Sequence, residues 1–389
     1  MHYSNLKTIN TIDEQLSTVT KRFGFKKIYP KSIASYPTAL KYYTDDKPEL
    51  ISFTNASGGI SILHDDPTIS LFDSRISQEK VYYLTNTFAW QKDLENLKGG
   101  VENFCQPSIF ADAEMIVMVY EFLDSLKLQD FKIEIGHTHF IEKLMNHKDF
   151  SKEMKTELND GIHNKNIPKI KRIIDPLELS KENKKALMTL AKLFGDYEKT
   201  LKTAKSLNLI ALKPIIDYLE NLKKHLEYYG LDMNNIRIDL SLTNKYSYYD
   251  GLLFKSYSQN FGKKILQGGS YKNEDNQGIG FGFNVKDLIG VIQMKKESRN
   301  TMDYTVLIND SVEEKAINMI SKLRKSGCSV NTLEDQLTSE LIKNSESKYI
   351  LEIKEGTINI IDNLANKVTK KNYDQFLKEL TLVTVESIH

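Results

Sequence analysis

Several kinds of residue on which common functions depend are scarce in this sequence. Cysteine occurs only at Cys105 and Cys328, which excludes a disulfide framework and a cysteine-built metal site and makes a reducing compartment the expectation. Arginine is limited to Arg22, Arg75, Arg172, Arg237, Arg299 and Arg324, so lysine supplies nearly all the positive charge and bidentate donors for carboxylate or phosphate are rare. Net charge is also small: 53 basic against 52 acidic residues leave +1, which gives no overall electrostatic reason to bind a polyanion. No apolar run of about 18 residues occurs, and the opening "MHYSNLKTINTIDEQL" has no apolar signal core. A soluble, cytoplasmic protein without membrane or nucleic-acid partners is the expectation.

What is present is enough apolar material, 40% of 389 residues, to build two or three domains. Leu6, Ile9, Ile12, Leu16 and Val19 recur at helical spacing and predict an amphipathic helix over 6–24, stopped by Gly24. "LISFTNASG", "GISILHDD" and "KVYYLTNTFAWQ" read as antiparallel strands between Gly, Asp and Ser turns, "DAEMIVMVYEFLDSLKL" as a helix and "FKIEIGHTHFI" as a strand. From about residue 140 to 232 the pattern is helical throughout; strand signals return at "IRIDLSL", "GLLFKSYS" and "KKILQGG". A charged linker, "QMKKESRNTMD", precedes a small alternating α/β segment over 302–389. The expected architecture is an α+β body over 1–295, with a helical insertion at about 140–232, followed by that domain.

The stretch "QGGSYKNEDNQGIGFGFNVKDL" carries five glycines. A phosphate-cradling loop joins a strand to a helix and brings a cation to the charge. Here glycine alternates with aromatic residues, which predicts a strand whose glycines admit a close neighbour, and the nearest cation, Lys286, is followed at once by Asp287.

The order of these pieces resembles one family. "YYDGLLFKSYSQNFGKKILQGGSY" resembles the paired-tyrosine and "GGRYD" run of histidyl-tRNA synthetases and of their paralogue, the regulatory subunit of ATP phosphoribosyltransferase. "KVYYLTNTFAW" and "ENFCQ" resemble that family's motif 2 strand and its return, "ADAEMIVM" the following helix, and "GIGFGFNVKDLI" the motif 3 strand and helix. "LHDDPT" stands where the family has "LRPDMT" or "LRPEGT", with His64 in place of arginine. The resemblance implies a class II aminoacyl-tRNA synthetase-like antiparallel sheet flanked by helices, and a tail similar to an anticodon-binding domain.

Departures from the pattern fall where synthetase chemistry needs charge. The motif 2 arginine position holds Ala89, the motif 3 arginine position Asp287, and the carboxylate-binding arginine before the tyrosines Asn244. An aspartate beside a triphosphate repels it. The helical region, from "IGHTHFIEKLM" to "IIDYLENLKKHLEYYGLD", resembles that of the regulatory paralogue, where a true synthetase has a different insertion.

The resemblance therefore implies a subunit with no catalytic residues and no cofactor. Its implied partner is the short-form ATP phosphoribosyltransferase catalytic subunit, with a homodimer core inside a hetero-oligomer and histidine as effector. The alternatives are a divergent histidine–tRNA ligase and a stand-alone synthetase-like module that binds RNA or protein. A surviving histidine pocket is implied at Asp66, Thr68, Gln106, Tyr248, Tyr249, Gly268, Gly269 and Tyr271, with Asp66 on the ligand's ammonium and Gln106 and a tyrosine near the imidazole. Other readings stay open: "HDDPT" is also good turn chemistry, and one of the paired tyrosines also suits a core position. His137 and His139 would share one face of a strand, but the sequence suggests no third ligand and so no metal site; Cys105, within a predicted strand, reads as a buried inert thiol.

Overall fold

A computed structural model describes residues 5–41, 50–73, 79–90, 94–128, 130–242, 249–258, 261–272, 276–295, 302–308, 311–334, 337–345, 347–363, 365 and 367–386. The chain forms two compact units, Met1–Met294 and Lys295–His389.

The first unit begins with α1 (Leu6–Arg22), whose Ile9, Ile12, Leu16 and Val19 are buried on one stripe. It ends in a turn where Gly24 takes φ +81°, a left-handed conformation that side chains disfavour. A two-residue strand β1 (Lys26–Lys27) follows. A small antiparallel sheet of order β2-β4-β3 comes next, from β2 (Ile33–Ser35), β3 (Ile51–Thr54) and β4 (Ile60–Leu63), with α2 (Tyr36–Leu40) after β2. Helix α3 (Pro67–Asp73) leads to the long hairpin of β5 (Lys80–Phe88) and β6 (Glu95–Asn103).

Helix α4 (Ile109–Ser125) is apolar on nearly every side and is correspondingly buried. Ser108 caps it by accepting from the Ala111 N–H at 3.1 Å. Strand β7 (Phe131–His137) leads into the helical insertion: α5 (Thr138–Leu144), α6 (Lys152–His163), α7 (Ile167–Ile174), α8 (Lys181–Leu190), α9 (Tyr197–Lys205) and α10 (Lys213–Tyr228). Local capping chemistry starts most of these helices, since Ser151, Asn166, Ser180 and Asp196 each accept a first-turn N–H.

One detail departs from the helical expectation. Phe194–Asp196 forms a strand, β8, antiparallel to β9 (Ile236–Asp239). Three residues around Gly195 are too short to leave a period in the sequence. The body closes with β10 (Tyr249–Ser258), β11 (Lys264–Lys272), β12 (Gln277–Asn284) and α11 (Val285–Lys295).

Nine of these strands make one sheet, in the order β1-β5-β6-β12-β11-β10-β7-β9-β8. Its centre, from β5 through β7, is antiparallel throughout. One face packs on α1 and α4, where the Phe122 ring lies 5.2 Å from that of Phe283 and 6.4 Å from that of Phe281. The other face carries the cleft described below. The α+β class, the antiparallel sheet and the helical insertion expected from sequence are all present.

In the second unit β13 (Met302–Leu307), β14 (Val330–Leu333), β15 (Ser347–Lys354), β16 (Thr357–Asp362) and β17 (Lys367–Asn372) form a sheet of order β14-β13-β15-β16-β17. It is accompanied by α12 (Glu313–Lys325), α13 (Ser339–Asn344) and α14 (Tyr373–Glu386). Strand β17, "KVTKKN", is absent from the sequence reading because it is an exposed edge whose lysines hide the strand pattern. The expected linker falls largely on residues outside those described.

Strand β7 stops at His137, so His139 belongs to α5, contrary to the expected shared strand face. The cause is local: His137 Nδ1 accepts the His139 N–H at 3.3 Å and so caps the helix. The two rings lie 5.1 Å apart, and His139 Nε2 bonds Asp250 Oδ1 at 2.5 Å. Thr138 and Gly251 exchange hydrogen bonds beside them, with the Gly251 N–H donating to Thr138 Oγ1 at 2.9 Å. Among the described residues no group of three acidic, histidine or cysteine side chains is placed to hold a metal ion.

Burial, reinforced by the neighbouring His139, pushes the His137 imidazole down to about 4. It is therefore neutral when folded, and stability is lost as pH falls from about 6.5 to 4, where only the unfolded chain takes the proton. Replacing His137 by asparagine, which preserves a capping side chain, is expected to reduce by about 2 kcal/mol the stability lost between pH 7 and pH 5. Urea midpoints at the two pH values measure this, and equal losses in wild type and variant would refute it.

Candidate ligand-binding site

The strand register builds the site from glycine. Directly opposite residues share a face, so Tyr83, Gly100, Gly282, Gln267 and Lys255 form one row across five strands. Val81, Glu102, Gly280, Gly269 and Leu253 form the next. With glycine at the centre of both rows, the sheet has a trough instead of side chains, and the trough opens as a cleft of about 300 Å³.

Most of these glycines are required by what lies over them. A Cβ at Gly100 would land on the Tyr83 ring, one at Gly280 on Glu102 Oε2, and one at Gly278 would come within 2.8 Å of the Tyr271 hydroxyl. At Gly269 it would come within 3.0 Å of the Tyr249 ring. Gly282 differs, because its nearest such neighbour is the Gly99 carbonyl at 3.7 Å, an ordinary contact. The trough is thus partly filled by the chain's own polar side chains and stays open at Gly282.

Asp66, Thr68, Tyr249, Gly269 and Tyr271, all expected from sequence, line this cleft. Asp66 has a structural task as well. Its Oδ1 accepts the Thr68 N–H at 3.0 Å just as α3 begins, the turn chemistry that "DPT" offered. Tyr271 is buried, with its ring 5.2 Å from that of Phe72 and 6.1 Å from that of Phe104.

Two expected residues lie elsewhere. Gly268 points to the opposite face, where a Cβ would strike the Gly280 carbonyl and the Phe254 ring, because strand alternation puts neighbours Gly268 and Gly269 on opposite sides. Gln106 is exposed and absent from the cleft, since β6 ends at Asn103 and the chain leaves the sheet before reaching it. For the same reason Cys105 lies beyond the strand, half-buried, with its thiol pushed up to about 11 by burial. Tyr248 and Asn244 lie outside the described residues.

Sequence reasoning missed Glu102, Tyr83, Lys98 and Lys264, which also line the cleft. Glu102 is 3% exposed and accepts from the Thr68 hydroxyl at 2.7 Å. Burial drives its carboxyl up to about 8, opposed by hydrogen bonds from Thr68 and Tyr271 and reinforced by Asp66. Burial likewise raises the Tyr83 and Tyr271 hydroxyls well above their ordinary range, Glu102 adding to both. The missed signal was the alternation of "KGGVEN", which puts Lys98, Gly100 and Glu102 on one face.

Lys98 Nζ donates to the Asp65 carbonyl at 2.6 Å and Lys264 Nζ to Gln267 Oε1 at 2.6 Å. Asn284 accepts the Lys286 N–H at 2.9 Å at the start of α11, and Asp287, in its first turn, faces the cleft. Among the described residues lining the cleft there is no arginine, and the acids are Asp66, Glu102 and Asp287. With Lys98 and Lys264 in the same lining, the cleft offers carboxyl acceptors for an ammonium group and no described guanidinium to grip a polyphosphate. Among the described residues no helix is long and apolar enough to cross a membrane.

Residues 3–288 match the family model described as histidyl-tRNA synthetase. An ATP phosphoribosyltransferase regulatory subunit of Clostridium botulinum (strain Langeland) is 30% identical, the match covering 89% of this chain and 87% of that one. Among solved structures, an ATP phosphoribosyltransferase regulatory subunit/histidyl-tRNA synthetase from Bacillus halodurans superposes with a TM-score of 0.75 at 22% identity, covering 89% of this chain and 94% of that one. A histidyl-tRNA synthetase from a Nostoc species superposes with a TM-score of 0.77 at 14% identity, covering 95% and 94%, a likeness of fold. With the family model matching well over half its length and a close relative spanning nearly all of it, the chain belongs to the histidyl-tRNA synthetase family and, within it, to the ATP phosphoribosyltransferase regulatory subunits.

Proposed function

We propose that this chain is the non-catalytic, activating subunit of an ATP phosphoribosyltransferase, acting at the first step of histidine biosynthesis. Its partner is the short-form catalytic subunit, its own core is a homodimer within the hetero-oligomer, and histidine is the effector that occupies the cleft. The observation that carries this reading is which acceptors and donors line the cleft. An amine-compatible floor of Asp66, Glu102 and tyrosines is kept, whereas the triphosphate side presents Asp287 in the first turn of α11 and no described arginine.

Aminoacylation requires donors fixed on the phosphates of ATP, and the positions that would hold them, Ala89 and Asp287, offer none. Amino-acid recognition without ATP chemistry suits an effector pocket. Histidine acts on the partner only if it binds two states of the complex with different affinity. The C-terminal unit serves assembly, in the manner of an anticodon-binding domain no longer used for tRNA.

Mixing the full chain with a short-form catalytic subunit from the same source, ATP and phosphoribosyl pyrophosphate is expected to give product formation that either subunit alone lacks, and that histidine inhibits. ATP–pyrophosphate exchange by this chain alone, with no activation of the catalytic subunit, would overturn the proposal.

A further inference from the structure

Glu102 is a buried carboxyl that no cation meets among the described residues. Its Oε1 takes the Thr68 hydroxyl at 2.7 Å; its Oε2 lies buried on the cleft floor over Gly280, with the uncharged Tyr271 hydroxyl as its neighbour. The described groups facing it bring no positive charge: Asp66 and Thr68 from the α3 end, Tyr83 from β5 and Tyr271 from β11. The cleft's lysines are engaged elsewhere, Lys98 on the Asp65 carbonyl and Lys264 on Gln267.

An ionised carboxylate in this position would be desolvated beside a second acid, and proton uptake relieves that cost. The empty cleft therefore holds Glu102 as the neutral acid, in keeping with the elevation to about 8 caused by burial. A ligand bringing an ammonium group supplies the missing cation and removes the reason for the proton to stay.

We propose that a small ligand bearing a primary ammonium group binds this cleft by replacing the proton on Glu102, so that each ligand bound releases one proton to solvent. The exchange balances: the neutral acid and the free ammonium ion become a carboxylate–ammonium pair and a solvated proton. The ammonium, rather than the ligand's carboxylate, is then the recognised group. This inference rests on reading the cleft as the effector pocket, and it assigns Glu102 as the residue that gives effector binding its pH dependence.

Calorimetric titration of the full chain, alone and with the catalytic subunit, tests it. The probes are histidine, histamine, which lacks the carboxylate, and imidazolepropionate, which lacks the ammonium, each measured at pH 7 in phosphate and in HEPES, two buffers that carry no primary amine and differ in ionisation enthalpy. Histidine and histamine are expected to release about 0.9 proton per ligand at pH 7 and to bind about fivefold more tightly at pH 8. Imidazolepropionate is expected to bind at least about tenfold more weakly and to release none. Glu102→Gln, with an unchanged circular dichroism spectrum as the folding check, is expected to abolish the buffer dependence.

Ammonium binding with identical heats in both buffers would overturn the inference, as would imidazolepropionate binding as tightly as histidine. So would the failure of both ammonium probes to bind at about 10 mM and pH 8, a level that detects even weak association. Activation of the catalytic subunit without these heats leaves the regulatory reading standing and sinks this one. Proton-linked binding without activation does the reverse.

Discussion

Replacing Glu102 by glutamine is expected to make the protein more resistant to unfolding at pH 8 than at pH 5, relative to wild type, by up to about 3 kcal/mol. The sign follows from burial. The folded-state carboxyl is raised from 4.5 to about 8, so folding favours the neutral acid. Its stabilising contribution is fully present below about pH 4.5 and is lost as pH rises through about 8, because the unfolded chain ionises freely while the folded one resists. Glutamine keeps the shape and cannot ionise. The informative quantity is therefore the pH slope, since the amide also alters the contact with Thr68 at every pH. Guanidinium or thermal denaturation of both proteins at pH 5, 6, 7 and 8 measures it, and parallel curves would show that Glu102 is ionised in the folded protein. A ligand that supplies an ammonium group to this carboxyl is expected to restore stability to wild type at pH 8 and to have far less effect on the variant.

Gly268→Ala is expected to cost about 3 kcal/mol or more, enough to leave much of the first unit unfolded near 37 °C, whereas Gly282→Ala is expected to change stability by less than about 0.5 kcal/mol. Both are strand glycines in the same stretch, so composition and propensity treat them alike. The difference lies in what a methyl group meets. At Gly268 it strikes the Gly280 carbonyl of the neighbouring strand and the Phe254 ring, which is itself fixed in the core. A backbone carbonyl inside a paired sheet cannot yield without breaking the ladder. At Gly282 the nearest such atom is 3.7 Å away and the cleft is open above it. Chemical denaturation of the two variants separates the cases, and equal destabilisation would refute the assignment of the two glycines to opposite faces. Gly282→Ala also narrows the cleft, so weakened ligand binding in a fully stable variant is its expected second effect.

Much of the fold was legible because it is periodic. The apolar stripe of α1, the unbroken apolar surface of α4 and the short apolar runs bounded by turn residues at β10 and β11 each leave a recognisable pattern. The three-residue β8 and the lysine-rich β17 leave none, because one is too short and the other faces solvent.

The site was legible only in part, for a related reason. Asp66, Thr68, Tyr249, Gly269 and Tyr271 stand in stretches whose order resembles the family, and the structure brings them to one cleft. Gly268 and Gln106 were implied by the same resemblance, but strand alternation turns Gly268 to the opposite face from Gly269, and β6 ends before Gln106. Glu102 went unnoticed because a single glutamate in "GGVENF" looks like a solvated one until the register places Gly280 opposite. Burial is a property of pairing, which one strand read alone does not disclose.

The glycine trough bears on how such a chain drifts once a ligand no longer holds it. Substitutions at Gly268, Gly278 or Gly280 are purged by folding whether or not anything binds, so the survival of those glycines is no record of use. At Gly282 a methyl group meets nothing that folding forbids, and only an occupant of the cleft would object. Among lineages descended from a common synthetase-like ancestor, that position is where released selection would first leave a trace, and where its persistence as glycine would testify to a ligand.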